Sequence, residues 1–93
     1  MKKIFVTGSM INSKEIEFAA RALNTIDGNI VKYAKPIDEE IYDIEHIIYQ
    51  AFNNIEWCDS LYVVKKHSGK LGCETIYEIE YARRLRKEIF YLN

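Results

Sequence analysis

Hydrophobic residues along this chain fall in four short runs, of which the second is weaker because Lys32 interrupts it. Longer segments in which hydrophobic residues recur every three or four positions separate these runs. Continuous apolar runs are typical of strands buried on both faces of a sheet, whereas the longer spacing is typical of amphipathic helices. The pattern predicts strands at residues 3–7, 29–34, 61–65 and 89–92. It predicts helices at about 12–26, 39–57 and 75–87.

Strands and helices therefore alternate along the whole chain, which at 93 residues is long enough for one domain. This alternation predicts an α/β fold: a small doubly wound parallel sheet of about four strands in the order 2-1-3-4, with helices on both faces. Ligands of such sheets bind at the carboxyl ends of the strands, beside the point where the strand order reverses. Gly8-Ser9-Met10 and residues 66–74 follow the first and third strands, so we expect them to flank a site.

Composition narrows the classes of partner. The formal net charge of −1 gives no field that would attract nucleic acid or an anionic membrane. No apolar run is long enough to span a bilayer, and the N-terminus begins like a strand and not like a signal peptide, so we expect a cytoplasmic protein. Cys58, Cys73, His46 and His67 lack metal-ligand spacing, and the predicted site needs neither a metal nor an organic cofactor.

The loops after the first and third strands each allow two interpretations. Gly8 lets the backbone approach a ligand beside a helix N-terminus, but a single glycine is no dinucleotide-binding fingerprint, and a tight turn explains it equally well. The basic loop at residues 65–70, which contains Ser68 and Gly69, can hold a phosphate or can simply be solvated.

Three acidic residues are candidates for chemistry. Glu78 is either part of a capping box with Thr75 or a carboxylate at the margin of the buried helix face, kept ionised by the helix dipole and able to act as a nucleophile. Glu74 is either a solvated acid or a second catalytic carboxyl group. Asp59 is most simply a turn residue at the entry to the third strand, with an acid/base role as the alternative.

The sequence resembles the nucleoside 2-deoxyribosyltransferase family over nearly all of its length. The resemblance rests on three segments, Phe5–Met10, Ile55–Val64 and Gly72–Ala82. It implies that Glu78 is the nucleophile on the anomeric carbon of the sugar. Glu74 or Asp59 is then our candidate for the acid/base. The contacts to the sugar or 5′-phosphate would come from Gly8, Ser9, Met10, Ser68, Gly69, Gly72 and Thr75. A homo-oligomer is also implied, because a neighbouring subunit completes the site in those enzymes.

The chain departs from the family pattern at several positions. Glu80 stands where the family has a glycine, and Gly72 stands where an aspartate or serine would bind the sugar or phosphate. The acid that the family carries about eight residues before Asp59 is absent, and Ala51 and Phe52 are found there. Three hypotheses follow: cleavage or transfer of an N-glycosidic bond in a nucleoside or nucleotide, a non-catalytic nucleotide-binding or sensing module, and an oligomeric interaction domain in which Glu78 only caps its helix.

Overall fold

The computed structural model describes residues 1–35, 44–65 and 73–92. It contains four strands, β1 (Lys2–Gly8), β2 (Asn29–Tyr33), β3 (Ser60–Val64) and β4 (Glu88–Leu92). Its helices are α1 (Ser13–Asn24), α2 (Ile44–Trp57) and α3 (Cys73–Arg84), and a 3₁₀ turn at Met10–Asn12 precedes α1. The predicted order of elements is confirmed.

The four strands form one parallel sheet in the order β2-β1-β3-β4. This order confirms the predicted fold class and places the reversal between β1 and β3. The register pairs Gly8, the last residue of β1, with Val64, the last residue of β3. The carboxyl ends of the two central strands therefore lie side by side.

The core has two layers because successive side chains of β1 point to opposite faces of the sheet. On one face, Ile4 and Val6 pack with Ile16 and Ala20 of α1. On the other face, the buried residues of β1, β3, α2 and α3 pack together: Phe5, Ile55, Cys58, Leu61, Val63, Ile79 and Ala82. Thr7 follows Phe5 by two positions, so its side chain points to the face that α2 and α3 cover.

Helix boundaries differ from the prediction by a few residues. Helix α1 ends at Asn24, two residues before the predicted end, and Gly28 provides the positive φ of 91° in the turn to β2. Asn12 is of a residue type that commonly caps a helix, and its place before the first helix predicts that role, but it forms no side-chain capping hydrogen bond, so this prediction is wrong. The predicted start of the second helix, at residue 39, lies outside the described residues.

Helix α3 begins at Cys73, before the predicted start at Thr75, and ends at Arg84, before the predicted end at Lys87. Because Thr75 lies inside the helix, it is not the N-cap, and the predicted capping box with Glu78 is not formed in that position. Helical spacing from Ile79 and Ala82 predicts that Leu85 lies on the buried stripe of this helix, but Leu85 follows the helix end and is exposed.

Within the described part of the chain, no helix has both the length and the apolar character needed to cross a bilayer. The same residues contain no group of three or more His, Cys, Asp or Glu side chains that could hold a metal ion. Cys58 is a buried free cysteine, and burial raises the pKa of its thiol.

Candidate functional site

Glu78 lies in the second turn of α3, next to Ile79, which packs in the core between the sheet and the helices α2 and α3. Glu78 is only 9% exposed, and Oε2 is buried without a hydrogen-bond partner. Its neighbours on the inward face of the helix, Thr75, Ile79 and Ala82, are buried as well. Oε2 has therefore lost contact with water without gaining a regular hydrogen bond in return.

Burial raises the pKa of Glu78 from 4.5 to about 7. Desolvation is the largest cause, because a charged carboxylate is less stable away from water than a neutral carboxyl group. The negative charge of Glu74 also raises the pKa, whereas the Thr7 hydroxyl lowers it. Our prediction that the helix dipole keeps Glu78 ionised was therefore wrong, since the loss of water outweighs it.

Thr7 is the residue of β1 that affects the pKa of the Glu78 carboxyl group. Its side chain is 1% exposed, and Oγ1 has no hydrogen-bond partner. The hydroxyl still lowers the pKa of Glu78, so the two groups interact without reaching regular hydrogen-bond geometry. Thr7 and Glu78 are thus two buried polar residues near the carboxyl end of the central strands, each with an oxygen that lacks a hydrogen-bond partner.

Gly8 closes β1 immediately after Thr7, where the strand contacts its neighbours very closely. A Cβ atom at Gly8 would lie 2.8 Å from the Val64 carbonyl oxygen and 3.3 Å from Ile16 Cδ1. Only glycine fits there without displacing the backbone of β3. Ser9 follows, and its carbonyl accepts a hydrogen bond from the Asn12 amide at 2.8 Å, which starts the turn into α1.

Glu74 and Thr75 lie in the first turn of α3, on the same helix as Glu78. Glu74 is exposed, whereas Thr75 is only 3% exposed. Glu74 is four residues before Glu78, which places both side chains on one face of the helix. The structure therefore brings together Glu78, Glu74 and Thr75 on α3 and, through the interaction with Thr7, the end of β1.

Asp59 lies elsewhere. It precedes β3, and its Oδ2 accepts a hydrogen bond of 3.0 Å from the Lys3 amide near the start of β1. Its own amide donates to the Lys3 carbonyl at 2.8 Å. These contacts are at the amino ends of the strands, opposite the end that carries Glu78. The structure thus does not bring Asp59 to the site, and it supports the turn role for this residue instead of the acid/base alternative.

Some predicted contacts lie outside the described residues, namely Ser68, Gly69 and Gly72. Met10 begins the 3₁₀ turn after β1, so its backbone follows directly on Gly8 and Ser9.

Two buried polar residues near this end of the sheet were not among the predicted site residues. The apolar pattern indicates only a strand position for Thr7, and the position of Asn12 before a helix indicates only a cap. Asn12 is 1% exposed, and its Oδ1 has no partner. A signal for Thr7 was available, because it is the one polar residue in the run Ile4–Thr7 and it directly precedes the loop that the topology singles out. No such signal distinguishes Asn12 from an ordinary N-cap.

The chemistry open to this site follows from the pKa of Glu78. At a pKa of about 7, both the ionised and the protonated forms are present at neutral pH. An ionised carboxylate is a nucleophile or a base, and a protonated one is an acid. Perturbed carboxyl groups of this kind are common at active sites, although structural groups can show the same shift.

No protein-family model and no curated protein matches the sequence. Among solved structures, the chain is similar to a 2-desoxiribosyltransferase from Leishmania mexicana, with a TM-score of 0.67 and 20% sequence identity. The match covers 98% of this chain and 63% of that one, so this chain spans less than two thirds of the length of its structural neighbour. At this identity the similarity shows a shared fold: the chain has the α/β fold of a 2-deoxyribosyltransferase.

Proposed function

We propose that this protein binds a nucleoside or nucleotide and cleaves or transfers its N-glycosidic bond, with Glu78 as the nucleophile. One observation carries the proposal: a buried carboxyl group with an unpartnered oxygen and a pKa of about 7 lies at the carboxyl end of the central strands. This is where parallel α/β sheets bind their ligands. The fold shared with a 2-deoxyribosyltransferase directs the choice of substrate to nucleosides and nucleotides.

In the proposed reaction, an ionised Glu78 oxygen forms a bond to the anomeric carbon of the sugar. The bond between that carbon and the base nitrogen breaks, and its electron pair leaves with the base, which takes up a proton. Water or a second base then attacks the same carbon and releases the carboxylate. Two displacements retain the configuration of the sugar, as in glycosidases that use a carboxylate nucleophile.

Glu74 is our candidate for the group that protonates the departing base. It is exposed at the start of α3, and its charge acts on the Glu78 carboxyl group. A solvated acid exchanges protons with water readily, and microscopic reversibility lets it serve as a base in the second step. We further propose that Gly8, Ser9 and Thr75, together with residues 66–72, contact the sugar or its 5′-phosphate.

The test is the release of free base from 2′-deoxynucleosides and their 5′-monophosphates. We expect the native chain to release base and Glu78→Gln to lose at least about a thousandfold in rate, because an amide cannot form the glycosyl ester. Glu80→Gln is the matched control, since Glu80 is an exposed carboxylate two residues along the same helix, in an ion pair with Arg83. It should keep the native rate.

Other outcomes decide between the alternatives. Equal rates of base release for the native chain and a folded Glu78→Gln variant would rule out Glu78 as the nucleophile. Thermal stabilisation by nucleotides without release of base would replace the enzyme with a non-catalytic binding or sensing module. If the protein neither bound nucleotides nor released base, the oligomeric interaction domain would be the remaining hypothesis.

We also propose that the chain forms a homo-oligomer. Several large apolar side chains are exposed on the single chain, among them Phe18 at 76%, Tyr49 at 71% and Tyr77 at 62%. Burying such groups against another copy stabilises an assembly by about 25 cal/mol for each Å² of apolar surface. We expect light scattering on the purified protein to give a multiple of the chain mass, whereas a monomer at micromolar concentration would contradict this.

A further inference from the structure

We infer that Thr7 is a positioning residue for Glu78: its hydroxyl group orients the carboxylate for attack on the substrate. The inference rests on the proposed function for its meaning in the reaction. The pairing itself is inferred from two buried oxygens that lack hydrogen-bond partners, Thr7 Oγ1 and Glu78 Oε2, and from the face of β1 to which the Thr7 side chain points. The inference assigns a role to a residue of the sheet, whereas Glu74 belongs to the same helix as Glu78.

The backbone of Thr7 is held in place against β3. It pairs with Val63 in the central strand β3, and the close contact of Gly8 with Val64 follows it directly. The Thr7 side chain is β-branched, which restricts its first side-chain torsion to few rotamers. Its hydroxyl group is therefore presented from a rigid strand, and a donor on a rigid element orients a neighbouring group better than one on a loop.

A purely structural role does not explain the Thr7 hydroxyl. The side chain is 1% exposed on a face packed with Phe5, Leu61 and Val63, and Oγ1 has no partner of regular geometry. Burying such a hydroxyl destabilises a fold, whereas valine would fill the same space without that cost. A threonine at this position is expected where the hydroxyl acts on a neighbour, and the neighbour on which it acts is Glu78.

The hydroxyl group suits each stage of the proposed reaction. It can donate a hydrogen bond to the ionised carboxylate and accept one from the protonated form. When one Glu78 oxygen is bonded to the sugar, the other becomes an ester carbonyl, which also accepts from a hydroxyl group. A donor fixed on β1 thus selects which carboxyl oxygen faces the substrate, and positioning of this kind lowers the barrier without new chemistry.

Few groups in the described part of the chain shift the pKa of Glu78. Within the described residues, Glu74 on its own helix is the charged side chain that shifts the pKa of Glu78, and Thr7 is the polar group from the sheet that shifts it. Removing the Thr7 hydroxyl while keeping its shape should therefore move the titration of Glu78 to higher pH. A substitution that only loosened the packing around Glu78 would not be expected to raise the pKa of its carboxyl group.

The experiment compares Thr7→Val with Thr7→Ser and measures the Glu78 carboxyl titration by carbon NMR in the protein without substrate. We expect Thr7→Val to raise the pKa of Glu78 above its native value and Thr7→Ser to leave it close to native. Ser60→Ala is the control, because Ser60 also carries a buried, unpartnered hydroxyl but lies at the other end of β3. It should not move the titration.

Kinetics give the second measurement. In Thr7→Val, the acidic limb of the profile of kcat/KM against pH should move to higher pH. The rate at about pH 6 should therefore fall about tenfold and should recover in part at high pH. Thr7→Ser should restore most of the native rate. An unchanged Glu78 titration in Thr7→Val would overturn the inference, whatever the activity. A shifted titration without any base release in the native chain would keep the pairing and refute the proposed function instead.

Discussion

Glu78 is subject to two opposing influences. A helix N-terminus favours a negative charge nearby, but the effect is modest and falls off within the first turn. Removal of water disfavours the same charge, and here it dominates and raises the pKa to about 7. The sequence indicates the first influence directly, because Glu78 follows Thr75 at capping distance. It does not indicate the second, which depends on how deeply the side chain is buried.

This pKa predicts how stability depends on pH. The native state binds the Glu78 proton more tightly than the unfolded state, in which the pKa is near 4.5. The free energy of unfolding should therefore fall as pH rises from about 4.5 to about 7 and then level off, with a contribution from Glu78 of roughly 3 kcal/mol. Denaturant titrations of the native chain and Glu78→Gln at about pH 5 and about pH 8 measure this contribution.

Glu78→Gln should gain stability relative to the native chain as the pH rises, because glutamine has no proton to lose. Glu80→Gln serves again as the control: Glu80 is exposed and its variant should follow the native pH dependence. A constant difference between Glu78→Gln and the native chain across this pH range would show that Glu78 is not desolvated.

Helix α3 ends in a way that apolar periodicity does not indicate. Arg86 adopts a positive φ of 58°, and the amides of Arg86 and Lys87 donate to the carbonyls of Arg83 and Ala82 at 3.0 Å. This is the hydrogen-bond pattern of a Schellman motif, which usually has glycine at the left-handed position. The sequence offers an arginine there, so the periodic pattern predicted a helix that continued to Lys87.

We predict that Arg86→Gly stabilises the fold by about 0.5–1 kcal/mol, because glycine adopts the left-handed conformation without the steric cost that a side chain meets. Arg86→Ala is the matched control: it removes the same charge but keeps a Cβ atom, and should give no gain. Thermal and denaturant unfolding measure both variants. If Arg86→Gly were no more stable than Arg86→Ala, the conformation at this position would not be strained.

At the scale of the whole molecule, most of the fold was predictable. Continuous apolar runs such as Ile4–Val6 and Leu61–Val64 are characteristic of buried parallel strands, and their alternation with helices restricts the topology to few choices. The same reasoning placed Gly8 and the start of α3 at one end of the sheet. It also placed Asp59 at the entry to the third strand, which the structure shows to be the opposite end of the sheet.

The sequence did not predict which buried polar groups interact with one another in the fold. The sequence shows that Thr7 and Glu78 are polar, but their sequence separation is large and only the sheet brings them into one layer. The 20% identity with the solved 2-desoxiribosyltransferase shows that this architecture tolerates wide sequence change. Function therefore has to be established at the site and not from the fold.

The most direct measurement is the mass of the protein after rapid acid quenching during incubation with a 2′-deoxynucleoside or its 5′-monophosphate. We predict a fraction of the chain heavier by one deoxyribosyl group, located by peptide mapping on Glu78 and absent from Glu78→Gln. Release of base at an undiminished rate by Glu78→Gln, or an adduct on another residue, would contradict the central claim.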